Sequence, residues 1–372
     1  MWYALIFALM IIPVFSIFQT PKEWWQKTWL KILLIIFHTI GILSILLLLF
    51  VFHNLQDGLL RDLIVIIETV YFVLTLFISV LSIFRLLFYF FAQFFKNSNA
   101  GKKIINILKN KQLFFIIFAS LGIIYLIPAI INANTLAKTE YKININKPSK
   151  TKNMRVALIA DLHVGAGATE EQLDSMTRSL NEVQPDLVVI AGDITDSSSS
   201  IWDVEKLTNS LKQVRSQYGI YYIEGNHEIE SNINALPYLA DIGVHYLDNS
   251  SVTLPNDVNL VGISDKRDKT TSDILEQSGK DQNLPCIAVQ HRPREYSKTI
   301  KNCDLVLSGH THGYQYPFIV LTAPFRRELS HGRRDYEDKT AIVTSGVAEW
   351  GYRAKWPSFS EVVQIDLEFL PQ

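Results

Sequence analysis

The first 131 residues contain four stretches that are almost wholly aliphatic and aromatic: Trp2–Phe18, Leu30–Phe52, one within Leu63–Phe95, and Leu113–Ile131. A hydrocarbon core of about 30 Å is crossed by roughly 20 apolar helical residues, because lipid offers no water to an exposed backbone group. The stretches therefore predict an N-terminal α-helical transmembrane bundle over residues 1–131 and exclude a wholly soluble chain. Trp2–Phe18 is short and contains Pro13, so a cleaved signal peptide is its rival. It lacks a positive start and a small-residue cleavage site, which favours a retained span. The third stretch is long enough to tilt or to end in an interfacial turn around Arg85. A buried soluble helical core is disfavoured by these lengths. A transport pathway is disfavoured because the spans carry little intramembrane charge beyond Glu68, Arg85 and His38.

Lysine and arginine positions predict the orientation. The first loop carries Lys22 and Lys27 with Lys31 beyond, and the third carries Lys96, Lys102, Lys103, Lys109 and Lys111. The second loop has Arg61 alone, flanked by Asp57 and Asp62. With four spans, this alternation puts the N-terminus, the second loop and the C-terminal two-thirds outside the cytoplasm. Lys138, Lys142, Lys147, Lys150 and Lys152 follow the last span and pull the other way, although a long translocated domain overrides such charges more easily than a short loop. Losing the first span would reverse the reading.

Beyond residue 131 the character changes. A chain of 372 residues exceeds one ordinary domain, and residues 132–153 turn polar, as expected of a linker with one short strand at Tyr141–Asn146. Residues 154–372 then alternate strand-length apolar runs (Val156–Ala160, Leu187–Ala191, Ile220–Ile223, Ile287–Val289, Leu305–Leu307, Ile342–Val343) with helical patterns. Thr169 with Gln172 predicts a capping box for a helix whose Leu173, Met176, Leu180 and Val183 share a face; Val204, Leu207, Leu211 and Val214 repeat the spacing. Strand, helix, strand with runs buried on both faces points to an α/β layered sandwich. A net charge of -1 supplies no general attraction for nucleic acid.

Residue types that hold metals follow five of the strand-like runs: Asp161-Leu162-His163, Gly192-Asp193-Ile194-Thr195-Asp196, Gly225-Asn226-His227-Glu228, His291, and Gly309-His310-Thr311-His312-Gly313. Each alone reads as ordinary loop polarity. Together they are a set of carboxylate, imidazole and amide-oxygen donors suited to two closely spaced divalent ions of the Mn, Fe or Zn kind. Side chains beyond the carboxyl ends of strands in α/β sheets can converge from distant parts of a sequence.

In this order the five motifs resemble the calcineurin-like metallophosphoesterases, over about Met154 to Leu367, and within them the membrane-anchored bacterial members with a multi-span N-terminus. The usual tail, Gly-His-Thr-His-Gly-Gly-Gln, has Tyr314 here in place of the second glycine before Gln315. The resemblance implies a metal-dependent phosphoester hydrolase with one cation on Asp161, His163, Asp193 and His312 and another on Asp193, Asn226, His291 and His310. Asp193 would bridge them, offsetting the repulsion of two dications about 3.5–4 Å apart, and a water between them would lose a proton and attack phosphorus in line. His227 is assigned to the leaving-group side, with Asp196 on its other ring nitrogen, and Glu228 to structure.

After the last motif come Arg326, Arg327, His331, Arg333 and Arg334, then Trp350, Tyr352, Arg353 and Trp356. They read either as a rim that grips phosphate or anionic headgroups, or as a solvated loop balanced by Glu328, Asp335, Glu337 and Asp338. Cys286 and Cys303 are too few for a thiolate zinc site; core packing is expected, with a disulfide if the domain is outside and their strands adjoin. The expected partners are a phosphorylated, lipid-linked or envelope substrate and membrane lipids. A catalytic domain on the cytoplasmic face would favour resemblance to UDP-2,3-diacylglucosamine pyrophosphatases, and a non-catalytic membrane scaffold is the remaining alternative.

Overall fold

A computed structural model describes residues 2–50, 59–165, 167–231, 233–265, 271–278, 281, 283–293, 299–318 and 329–370. Asp57, Arg326, Arg327, Glu328 and the end of Leu30–Phe52 lie outside that set. The chain divides into two compact units, Met1–Pro128 and Ala129–Gln372.

The first unit is helical: α1 (Trp2–Gln19), α2 (Lys22–Gln26), α3 (Thr28–Phe50), α4 (Leu59–Ala92), α5 (Asn99–Lys109) and α6 (Lys111–Asn134), the last of which crosses the division. Among the described residues, Thr28–Leu47, Leu60–Phe95 and Lys111–Asn134 are long and apolar enough to cross a membrane. The fourth expected span is α1, an 18-residue helix with Pro13 inside it. No turn interrupts α4 at Arg85. The helix continues to Ala92, because Arg85 Nη1 donates to Leu108 O at 2.8 Å and Nη2 to Gln19 Oε1 at 3.2 Å, so the guanidinium is satisfied without ending the helix. At about 1.5 Å per residue, its 34 residues exceed the thickness of a hydrocarbon core. Polar side chains in this unit turn inward: His38 Nδ1 meets the Tyr71 hydroxyl at 3.1 Å and Ser79 Oγ donates to Ile12 O at 2.9 Å.

The second unit stacks two six-stranded mixed sheets between helices. One sheet has the order β1 (Leu136–Ile145), β12 (Ser360–Phe369), β2 (Asn153–Ile159), β3 (Leu187–Ala191), β4 (Ile220–Ile223), β5 (His245–Tyr246). The other runs β10 (Gly332–Tyr336), β11 (Lys339–Val343), β9 (Leu305–Ser308), β8 (Cys286–Gln290), β7 (Asn259–Ile263), β6 (Ser250–Thr253). Alternation along each strand builds the layers. Val156, Leu158 and Val189 face the other sheet's Leu260, Val289 and Leu307 in the central core. Ala157, Ile159, Val188 and Ile190 face outward onto Leu173, Met176 and Leu180 of α7 (Glu170–Val183) and Val204 and Leu207 of α8 (Ile201–Leu211). The capping box of α7 on Thr169 and Gln172 forms as expected. On the far side, Ile274 of α11 (Thr271–Ser278) packs with Val261, Ala288 and Val306. The shorter helices α9 (Asn226–Glu230) and α10 (Leu236–Ala240) follow β4.

Residues 132–153, expected as a linker, are structured differently. The helix reaches Asn134, and β1 runs ten residues in parallel register with β12, from Leu136↔Ser360 to Ile145↔Phe369. Its alternation buries only Ile143 and Ile145, as suits an edge strand, so the polar composition that suggests a linker comes from its exposed face. Cys286 and Cys303 are joined by a disulfide, on adjoining β8 and the approach to β9.

Candidate metal centre

Strands β2, β3 and β4 run parallel in one sheet, and β8 and β9 run parallel in the other. Each of the five motifs follows the carboxyl end of one of these strands, four in loops and the third in the first turn of α9, and they meet. Donor atoms of Asp161, His163 and His312 lie within 4.8 Å of one another, as do those of Asp193, His291 and His310, and of His163, Asp193 and His227. Asp161, His163, Asp193, Asn226, His227, His291 and His312 are buried, and His310 is partly exposed.

The backbone is bent to achieve this. Asp161, His163, Asp193, His310 and His312 all have φ between 45° and 76°, the left-handed region that costs a residue with a Cβ about 1–3 kcal/mol and is found where surrounding structure imposes it. Tyr314 has φ 56° as well, which accounts for the glycine more usual there. Gly225 is required by close approach, since a Cβ there would sit 2.2 Å from Asp193 Oδ1.

Glu228 ties two motifs together. Its carboxylate accepts hydrogen bonds from the backbone N–H groups of Asp193, Ile194, Thr195 and Gly225, at 2.6 to 3.1 Å. The side chain thus braces the β3 and β4 loops, the structural role expected of it. Burial, and then the charge of Asp193, push its carboxyl up to about 7.

The expected pairing of Asp196 with His227 does not occur. Asp196 Oδ2 lies 3.6 Å from His163 Nδ1, and Oδ1 accepts from Ser198 N at 2.6 Å. A short turn closed on Ser198 and Ser199 holds Asp196 beneath His163 and leaves it no reach to His227. Among the described residues, His227 Nδ1 has no hydrogen-bond partner. The His227 ring instead packs against His163 and Trp350, with centroids 4.9 and 5.4 Å away.

The donors fit a pair of cations. His163 Nε2 faces His312 Nε2 at 3.2 Å, and His310 Nδ1 faces His291 Nε2 at 3.2 Å. Imidazole nitrogens that face each other so closely must share a proton or a cation. Asp193 Oδ2 is 2.9 Å from His291 Nε2 and 3.8 Å from His163 Nε2, so one carboxylate borders both groups. The opposite face of two rings is held by backbone: His291 Nδ1 is 2.7 Å from Ala191 O, and His312 Nδ1 is 3.2 Å from Ala348 O, which aims Nε2 of each at the centre. Burial opposes the charge on every group. It raises Asp161 to about 6 and, with the His163 ring, holds His312 well below its ordinary value. At Asp193 and His291 mutual attraction outweighs burial, pulling the carboxyl well down and the imidazole up to about 10.

Sequence reasoning missed three features. Arg292 donates from Nε to Asn226 Oδ1 at 3.3 Å and pairs with Asp265 at 3.2 Å. Lys355 and Glu349 are buried behind His312. Adjacency to His291 signals Arg292; no local signal marks the other two, which sit in what reads as an aromatic and basic rim.

Residues 154–314 match the model of the calcineurin-like phosphoesterase family. An uncharacterized metallophosphoesterase of Campylobacter jejuni is 30% identical over 256 residues, covering 66% of this chain and 67% of that one. The chain belongs to this family. An uncharacterized metallophosphoesterase of Helicobacter pylori is 32% identical over 226 residues, 58% of this chain and 60% of that protein. A Bos taurus transmembrane protein with a metallophosphoesterase domain is 26% identical over 250 residues, 60% of this chain and 55% of its own length. The matches thus span between about half and two-thirds of these relatives. Family membership agrees with the fold of residues 154–314 and with the motif order read from the sequence.

Proposed function

We propose that this protein is a membrane-anchored phosphoester hydrolase working with two divalent cations, on a phosphodiester, pyrophosphate or phosphomonoester carried by a lipid-linked or envelope substrate. The observation that carries the reading is the convergence of five strand-end motifs into one buried cluster of donors bordering Asp193. Asp161, His163 and His312 would hold one cation and Asn226, His291 and His310 the other, with Asp193 shared. Bound there, the pair would supply a nucleophile from water near neutral pH and neutralise charge on the phosphoryl oxygens.

The chain's own groups do the rest. His227, beside Trp350 at the edge of the cluster, presents an imidazole to the leaving group, where its N–H stabilises the departing oxygen. Burial, and then His163, lower its affinity for a proton. Asp196 lies beside His163, at 3.6 Å from Nδ1, rather than against His227. Arg292, anchored on Asp265, lies next to Asn226, where a guanidinium can engage an anionic substrate.

Apolar helices long enough to cross a membrane support a multi-pass anchor in the cell membrane. The lysine-rich first and third loops and the Cys286–Cys303 disulfide favour a catalytic domain outside the cytoplasm, since disulfides persist in oxidising compartments. Alkaline phosphatase fused after Gln372 should therefore be active; activity of a cytoplasmic reporter there instead would reverse the orientation. For catalysis, detergent-solubilised protein given Mn²⁺ should hydrolyse an aryl phosphodiester or monoester, lose that activity to chelator, and lose it in Asp193→Asn. Full cation occupancy without turnover on any phosphoester would leave a binding scaffold.

A further inference from the structure

Lys355 is fully buried, and the hydrogen bonds of its ammonium go to backbone carbonyls. Its ammonium donates to Ala348 O at 3.1 Å and to Gly346 O at 3.3 Å. The stretch that carries these carbonyls backs one half of the centre. Ala348 O also faces His312 Nδ1 at 3.2 Å, Ala348 N donates to Asp161 O at 3.1 Å, and Val347 N donates to Ala160 O at 2.9 Å. Gly346, with φ 85°, lies so close to Asp161 that a Cβ would come within 2.7 Å of that residue's own Cβ. Ser358 Oγ, three residues after the lysine, donates to His312 O at 3.0 Å.

The lysine's own support is built in. Glu349, Asp161 and Glu361 are buried and supply the opposing charge; Glu349 Oε1 accepts from Ser360 Oγ at 2.8 Å, and Glu361 Oε1 from Ser345 N at 2.8 Å. Residues 355–360 are pinned further by the end of α6: Lys355 N donates to Ala129 O at 2.9 Å, Asn132 Nδ2 to Ser358 O at 3.0 Å, and Ser360 Oγ to Ala133 O at 3.3 Å. Ala133 O lies in the last turn of the helix, where a carbonyl has no partner within it. Among the described residues, these bonds reach Asp161 and His312 directly, and His310 only at one remove, through its N–H on the Asp161 carboxylate at 3.0 Å.

We propose that Lys355 is a positioning residue that secures the Asp161–His163–His312 half of a two-cation centre, acting through the Gly346 and Ala348 carbonyls. This rests on the two-cation reading above. A carbonyl gripped by an ammonium from behind cannot swing away from His312, so Nδ1–H stays bonded to it and the Nε2 lone pair stays aimed inward. The arrangement is one-sided, and its consequence is a change in the number of cations held.

The test is Mn²⁺ binding to the full-length chain in detergent, read by elemental analysis and electron paramagnetic resonance. Wild type should hold two ions per chain with an exchange-coupled signal. Lys355→Met should hold one, with the signal of an isolated ion, and should need about 10–100-fold more Mn²⁺ to recover the second. Should Lys355→Met not accumulate as folded protein, Glu349→Gln removes a counter-charge without opening a cavity and must show the same selective loss. Two ions at wild-type affinity in the folded variant, or equal weakening of both, would overturn the proposal. A wild-type chain that takes up no ion pair would overturn the two-cation reading itself.

Discussion

Ile124 in α6 and Trp202 in α8 are exposed to nearly the same degree, 64% and 65%, but they stand for opposite regimes. Around Ile124, exposure of large apolar side chains is the rule. Around Trp202 it is the exception: among the described residues beyond Ile131, the other large hydrophobics so exposed are Ile201, Ile229 and Trp356. The first unit turns serine, threonine, histidine and tyrosine inward and aliphatics outward, whereas the second hides its aliphatics between sheets and shows its lysines. One rule, that each face matches its solvent, accounts for both patterns when the first unit is set in lipid and the second in water.

The units differ as well in how much position matters. Lipid accepts any apolar side chain, while the metal centre holds five donor residues in left-handed backbone. The largest expected effect sharpens this contrast: His227→Ala should leave cation content unchanged and lower turnover by about 10²–10⁴-fold, measured as kcat on the best phosphoester found. Unchanged kcat would remove His227 from the chemistry. Next in size, Ile124→Lys should raise the free energy of inserting α6 by about 2.5–3.5 kcal/mol, scored by glycosylation mapping of the isolated helix in microsomes. The contrast between units breaks if the lysine costs nothing there.

A smaller effect lies on the water-facing side of the second unit. Arg155 Nε donates to Asp366 Oδ1 at 2.6 Å across the β2–β12 pair. Burial pushes the Asp366 carboxyl up, but the bond from Arg155 outweighs it and the net shift is downward. A group depressed in the folded state contributes stability above its unfolded pKa of about 3.9 and loses it as pH falls through the folded value. Asp366→Asn should therefore cost about 0.2–1 kcal/mol at pH 7, and the difference from wild type in denaturant titration should vanish at strongly acid pH. A penalty that persists at low pH would place the effect in packing. The smallest change is the control: Trp202→Lys should alter stability by no more than about 0.5 kcal/mol, although its exposure matches that of Ile124.

Much of this was readable without coordinates because the signals are local. Twenty apolar residues, a capping box on Thr169, and strand runs each ending in Asp, Asn or His are contained in short windows. Errors arose where a long-range partner decided the outcome. β1 looks like a linker with one short strand at Tyr141–Asn146 because one face is polar, and pairing with β12, more than two hundred residues away, extends that strand back to Leu136. Arg85 leaves a tilted helix and an interfacial turn both open until Leu108 O and Gln19 are seen to satisfy it within one continuous helix. Asp196 reads as the partner of His227, but Ser198 and Ser199 hold it under His163.

The amino-acid order alone determined that the chain has helices long and apolar enough to cross a membrane, a layered α/β part and one set of metal-type donors, since composition and spacing carry those facts. Tertiary structure decided which nitrogen faces which oxygen, that Glu228 braces two loops, and that Lys355 lies behind His312. Hydrogen bonds are set by ångström distances between residues far apart along the chain, and spacing in sequence does not encode such distances.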